Sequence, residues 1–180
     1  QAITPRTKAI IPVHFAGHPA DLDPIYEIAA ANGITVLEDA AHALGTAWRT
    51  ETGDLIPVGA NAHSDLTTFS FHPVKTIAMG EGGAVTANDP ELIARLQRAR
   101  NHGITRQANQ FVRGDAAFDA GGLAHPWYYE LEAPGFNFRI CDINCALGTS
   151  QLAKLGRFVA KRRALVAAYD ELLAPFAPLV

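Results

Sequence analysis

The sequence predicts an α/β fold, a mostly parallel sheet with flanking helices, and three observations carry that prediction. Residues 9–15 (AIIPVHF) are apolar and β-branched and end at Gly17 and Pro19, as a buried strand does. Residues 22–32 place Leu22, Ile25, Ile28 and Ala29 at helical steps, and residues 34–37 (ITVL) form a second apolar run. Strand, helix and strand within about thirty residues make a βαβ unit, whose two strands run parallel. The third observation is composition: 48% hydrophobic and 18% charged over 180 residues, enough apolar material for a real core and far from a disordered chain.

The remaining elements follow in order. Asn32-Gly33 closes the first helix as a C-cap pair. The polar stretch from Thr50 to Ser64 reads as loop, residues 66–71 (LTTFSF) as strand, and residues 83–86 (GAVT) as a short strand after Glu81-Gly82. Asp89-Pro90 starts a helix that runs to Arg100, with proline at its first position and basic residues near its end. Residues 104–135 are rich in Gly, Pro, Asn and aromatics with weak periodicity, which predicts an excursion or flap. From Asp142, read as an N-cap, the rest is predicted to be one long helix, with an apolar stripe through Ile143, Leu147, Leu155, Phe158, Leu165, Tyr169 and Leu172. Gly148 and Gly156 are the points where it would bend. Its basic residues, Lys154, Arg157, Lys161, Arg162 and Arg163, read as a solvated face.

Charge and cysteine content narrow the function. A net charge of −3, from 15 Lys+Arg against 18 Asp+Glu, offers no broad attraction for nucleic acid. No apolar run approaches the roughly 20 residues that span a bilayer, and no signal peptide is visible. Cys141 and Cys145 cannot make a disulfide framework, so a reduced, cytoplasmic protein is expected, with both thiols acting as small core hydrophobes. His14 and His18 are four residues apart, but Gly17 and Pro19 argue against a shared helix face and hence against a zinc pair. Glu81-Gly82-Gly83 lacks the following Lys-Ser/Thr of a phosphate loop.

The chemistry-bearing residues lie where an open parallel sheet binds its ligands, beyond the carboxyl ends of the strands. Asp39 ends the ITVLE strand, and Lys75 follows the TTFSF strand after an HPV turn. An amine and a carboxylate on one rim suit pyridoxal 5′-phosphate: the amine carries the aldehyde, and the carboxylate keeps the ring nitrogen protonated. Taken singly, a strand-end Asp or a loop Lys is more often a cap or a solvated charge.

The surrounding motifs are more specific. SFHPVK at 70–75 followed by GEGG at 80–83, with EDAAHALG at 38–45 upstream, resembles the DegT/DnrJ/StrS family of nucleotide-sugar aminotransferases. PVHFAGHPADLDPI, NDPELIARLQRARNHG and PGFNFRICDINCALGTSQLAKL fit the family pattern in the same order, so the likeness runs through the whole chain. FSFHPVK, PWYYE at 126–130 and GFNFR at 135–139 look most like the members that aminate a UDP-linked 4-keto-6-deoxy-N-acetylhexosamine in pseudaminic acid synthesis. The resemblance implies a fold-type-I large domain and a pyridoxal-phosphate-dependent aminotransferase. Lys75 then matches the lysine that carries the cofactor, and Asp39 the partner of the pyridinium nitrogen. His42 matches a position near the ring and its 3-hydroxyl, and Ser70 a hydroxyl that binds the phosphate. Asn137 matches an asparagine that reaches the phosphate of a neighbouring subunit's cofactor, which implies a homodimer with shared active sites. The related sugar 3-dehydratases carry histidine where this chain has Lys75, so that branch is excluded.

The resemblance also implies an incomplete central segment of a longer enzyme. Residues 1–141 would be part of the large cofactor-binding domain, and residues 142–180 a helix leading toward a small C-terminal domain outside this sequence. A Gly-Thr/Ser phosphate-binding turn and a ring-stacking aromatic are expected ahead of Gln1. The implied partners are a UDP-linked keto sugar and an amino donor, L-glutamate. Two alternatives stay open: an aminotransferase for another keto sugar or a cyclitol, and a non-catalytic regulatory or binding protein on the same scaffold. The roles of His72, His102 and the 126–130 aromatics are left open between substrate contact and loop or interface packing.

Overall fold

The computed structural model describes residues 2–177; the last three residues of the predicted long helix, 178–180, lie outside that range. Its contacts divide the chain into two units, Gln1–Asn88 with Cys141–Val180, and Asp89–Ile140.

The first unit is the expected α/β element. Strand β1 (Ala9–Ile10) is followed by helix α1 (Leu22–Asn32) and strand β2 (Thr35–Asp39). Gly33 ends α1 in the left-handed region at φ 61°, and its N–H bonds back to the Ala29 and Ala30 carbonyls. The ladder of β1 is shorter than the apolar run suggests. Pro12 has no N–H to give, so regular pairing stops, yet the chain stays beside β2: the Asp39 N–H donates to Pro12 O at 2.9 Å and the His14 N–H to Asp39 O at 3.0 Å. Phe15–Gly17 then turns in a short 3-10 element, with Ala16 at φ 54°.

Strands β3 (Ala47–Arg49) and β4 (Leu55–Pro57) form an antiparallel hairpin. This corrects the loop reading of residues 50–64, because three-residue strands are too short to show an alternation. The hairpin exists to bury Trp48, which packs with Leu22, Ala40, Ala43 and Val58. Strand β5 (Leu66–Ser70) pairs parallel with β2, and β6 (Gly83–Thr86) antiparallel with β5, so the sheet order is β1-β2-β5-β6. Ala29, Ile34 and Val36 form a second cluster with Ile3, Ile10 and Ile25.

In the second unit, α2 (Pro90–Arg100) begins as expected: the Asp89 side chain accepts the Glu91 N–H at 2.8 Å. The predicted excursion contains β7 (Ile104–Thr105), the one-turn α3 (Gly114–Ala117) and β8 (Glu130–Leu131), with β7 and β8 antiparallel. Glu130, the last residue of PWYYE, organises it. Its carboxylate accepts the Val112 and Arg113 N–H groups, each at 2.8 Å, and the Tyr128 hydroxyl at 3.0 Å. The Val112 amide, then that of Arg113, hold this carboxyl below the usual carboxylate range.

The chain returns to the first unit as two helices, α4 (Asp142–Leu152) and α5 (Leu155–Leu173), where the sequence suggests one. The break falls at Ala153–Lys154, where the Lys154 N–H tightens onto Gln151 O at 2.9 Å, and not at either glycine. Gly148 has a packing role instead: a Cβ there would stand 3.0 Å from Met79 Sδ. Asp142 is the first helical residue and Cys141 the cap. Cys141 is exposed and Cys145 half-buried, so neither is the core hydrophobe expected. Much of the apolar stripe is uncovered, with Ile143 at 82% and Leu172 at 70% exposure.

Gly83 tests the sheet. A Cβ there would lie 2.6 Å from Phe69 O on the paired strand. Gly83→Ala should therefore lower unfolding stability by about 1–3 kcal/mol through overpacking, measured by urea denaturation.

Candidate active site

The parallel pairing of β2 with β5 sets Asp39 opposite Thr68. Asp39 is the last residue of β2 and Ser70 the last of β5, so both reach the carboxyl rim of adjacent strands. The Asp39 Oδ1 accepts the Ala41 N–H at 3.0 Å, which orients the carboxylate. The His42 Nδ1 accepts the Ala16 N–H at 3.2 Å, so the neutral ring keeps its proton on Nε2. Ser70 Oγ accepts the His72 N–H at 3.4 Å and retains its own proton for donation.

Lys75 lies on a clamped loop. The Lys75 N–H donates to His72 O at 2.9 Å, the Met79 N–H to Phe71 O at 3.0 Å, and the Phe71 N–H to Gly82 O at 2.9 Å. Ile77 and Met79 are buried and anchor the loop's far side, each worth about 1.5–3 kcal/mol. Helix α4 lies over it: Gly148 meets Met79, and Asn144 Nδ2 donates to Glu81 O at 3.4 Å. The backbone around Lys75 is thus fixed, and the residue is half-buried. Among the described residues its ammonium makes no hydrogen bond or ion pair.

Behind the rim lies a network that the motifs do not announce. Glu38 shares the inward face of β2 with Val36 and is only 2% exposed, and His14 is fully buried. His14 Nδ1 accepts the Ala20 N–H at 3.0 Å, so the proton sits on Nε2, which donates to Glu38 Oε2 at 2.7 Å. Oε1 of Glu38 accepts the Ser64 hydroxyl and, at 2.9 Å, that of Thr67. Burial raises the Glu38 carboxyl, but the hydrogen bonds from His14, Ser64 and Thr67 together outweigh it and hold the group below its usual 4.5. The sequence carried one signal for this, a carboxylate at an inward strand register, where an unpaired charge is untenable.

Over residues 1–179 the sequence matches the DegT/DnrJ/EryC1/StrS aminotransferase family. The chain belongs to that family. The structure is similar to Helicobacter pylori PseC, an aminotransferase involved in the biosynthesis of pseudoaminic acid, at a TM-score of 0.78 and 30% identity, over 96% of this chain and 40% of that one. It is also similar to S. venezuelae DesV (0.74, 36% identity, 96% and 39%). A sugar aminotransferase from Streptococcus pneumoniae, in its PLP form, matches at 0.75 and 27% identity, over 96% and 43%. The chain therefore spans about two-fifths the length of these structures.

Pyridoxal 5′-phosphate is the cofactor of this family, and the rim suits it chemically. An amine without a partner among the described residues, an oriented carboxylate at the end of β2, an imidazole N–H and a hydroxyl proton are the groups that an aldehyde, a pyridine nitrogen, a phenolic oxygen and a phosphate require.

Asn137, the fifth expected residue, belongs to the Asp89–Ile140 unit, where it bridges Asn101. That unit has an open cleft of about 620 Å³ lined by Asn101, His102, Ile104, Arg106, Tyr129 and Arg139. Arg139 Nη1 donates to Asn101 Oδ1 at 2.6 Å, and the Arg106 guanidinium stands 5.9 Å from the Tyr129 ring centre. His102 takes φ 59°, a strained value for a side chain of its size. Residues far apart in sequence make this cleft, so no single motif advertised it. Elsewhere, His72 lies 3.9 Å from Glu81, and Trp127 stacks on His125 at 5.0 Å.

The lowered Glu38 carboxyl predicts an acid limit on stability. The native state binds this proton more weakly than the unfolded chain does, so Glu38's contribution is present above the unfolded pKa and fades as pH falls through the native one. Thermal melts should hold from neutrality to about pH 5 and weaken below 4.5, and Glu38→Gln should flatten that decline.

Proposed function

We propose that this chain supplies the cofactor-binding lysine of a nucleotide-sugar aminotransferase. The observation that carries it is the Lys75 amine, without a partner among the described residues, on a clamped loop that follows β5, where β2 ends in Asp39 and β5 in Ser70. When bound, pyridoxal phosphate contributes an electrophilic carbonyl and an electron-accepting ring. Lys75 would hold that carbonyl group, and its amine, when neutral, would serve as the acid–base group beside the amino donor's α-carbon. Asp39 holds the proton on the ring nitrogen. His42 directs its Nε2–H to the phenolic oxygen, and Ser70 its hydroxyl to the phosphate. Asn137 donates its amide to the phosphate held by a second copy, which makes the enzyme a homodimer with shared sites.

In this reading the amino group passes from L-glutamate to C4 of a UDP-linked 4-keto-6-deoxy-N-acetylhexosamine, as in pseudaminic acid-type synthesis; the similarity to the Helicobacter pylori protein supports it. The cleft lined by Arg106, Arg139 and Tyr129 supports a nucleotide substrate, since two guanidiniums lining one cleft suit a diphosphate and an exposed ring suits a base. A second reading, a TDP-linked sugar, is favoured by similarity to DesI, solved in the presence of its TDP-sugar product, at 31% identity. Two free thiols suit a reducing compartment, and we place the enzyme in the cytoplasm.

Borohydride treatment of the full chain loaded with pyridoxal phosphate should fix the cofactor covalently, and peptide mapping should find it on Lys75. Label on another lysine, or none, overturns the assignment. Arg106→Ala and Arg139→Ala should each weaken UDP binding by about tenfold or more, as the loss of a charge-assisted hydrogen bond does, with unchanged melting temperature. Amination of TDP-linked but not UDP-linked ketones would decide for the second reading.

A further inference from the structure

Three elements meet at the buried His14–Glu38 hydrogen bond, and none of its atoms lies on the rim. Glu38 immediately precedes Asp39 in β2, and its carbonyl accepts the Thr68 hydroxyl at 3.1 Å. His14 bonds Asp39 O through its backbone N–H and closes the 14–20 loop through Ala20. That same loop presents the Ala16 N–H to His42, and Ala16 holds φ 54°, a conformation that local sequence alone disfavours. One buried bond therefore fixes both the strand end bearing Asp39 and the loop that orients the His42 ring.

We propose that Glu38 and His14 are positioning residues, which set Asp39 and His42 in the geometry the cofactor ring requires. The inference rests on the assignment of those two rim residues above. A carboxylate in this place is otherwise hard to justify, because an apolar side chain would fill an inward strand position without needing three hydrogen-bonding partners. Placement matters because small displacements of binding groups carry large penalties in rate.

The test compares Glu38→Leu with Ile34→Ala, a core truncation at the opposite end of β2, in the full chain. Two quantities are measured beside the melting temperature: amide hydrogen exchange without cofactor, and the dissociation constant of pyridoxal phosphate. The Ala41 N–H bonds directly to the Asp39 carboxylate and so reports its position. In Glu38→Leu, the Asp39 and Ala41 amides should exchange about tenfold faster than in Ile34→Ala at matched stability, and cofactor binding should weaken by about 10- to 100-fold. Glu38→Gln should restore both, since its amide oxygen accepts from His14 and its NH₂ donates to the two hydroxyls once they rotate. Ser64→Ala gives the same direction with smaller size, and serves if the leucine variant does not fold. Equal exchange and equal binding in Glu38→Leu and Ile34→Ala overturn the proposal, as does failure of the glutamine to restore them. A wild-type chain that takes up no cofactor would overturn the rim assignment instead, while the exchange comparison still decides whether Glu38 holds Asp39.

Discussion

An ionised carboxylate buried inside a small sheet must be hydrogen-bonded, because an unpaired one costs several kcal/mol or takes up a proton. Glu38 imposes this constraint on the first unit. Its partners come from the turn after β1 (His14), from the approach to β5 (Ser64) and from β5 itself (Thr67). Meeting the demand of one side chain therefore draws together the segments whose ends make the rim. Two apolar clusters, around Trp48 and around Ile34, supply the bulk of the burial. They tolerate volume-conserving substitution in a way that a hydrogen-bond network does not.

The rim uses two kinds of rigidity. Asp39 and Ser70 are held by sheet pairing, whereas Lys75 is held by a loop closed through backbone bonds and weighted by Ile77 and Met79. A loop built this way keeps its lysine half-buried, with no partner for the amine among the described residues, as the proposed role requires. Gly148 belongs to the same arrangement, since it lets α4 approach Met79 closely. The uncovered apolar side chains of α4 and α5 tell a different story. A stripe that includes Ile143, Leu165 and Leu172 in water is unfavourable, and it accords with a chain spanning two-fifths of the length of similar structures and with the homodimer proposed above.

Much of this was legible in the residues. Helices α1 and α2 begin and end where their caps and apolar spacing put them, and β6 matches its GAVT run. The family was legible too, because its motifs are contiguous words around Lys75, Asp39 and GFNFR. What escaped is of two kinds. Short elements escaped because β3 and β4 offer three residues each, below any detectable period. Dispersed groupings escaped because Arg106, Tyr129 and Arg139, or His14, Glu38 and Thr67, are neighbours only after folding.

By itself, then, the sequence determined the α/β class, the family and the order of the longer strands and helices of the first 100 residues, with Asp39 ending one strand and Lys75 on the loop after another, since each is encoded by residues adjacent along the chain. Only the tertiary structure decided that Pro12 halts the first ladder, that the last helix breaks at Ala153–Lys154, that the cysteines sit outside the core, and that Glu38 is buried on His14. These depend on which distant atoms compete for the same space and the same hydrogen bonds, and that competition has no local signature.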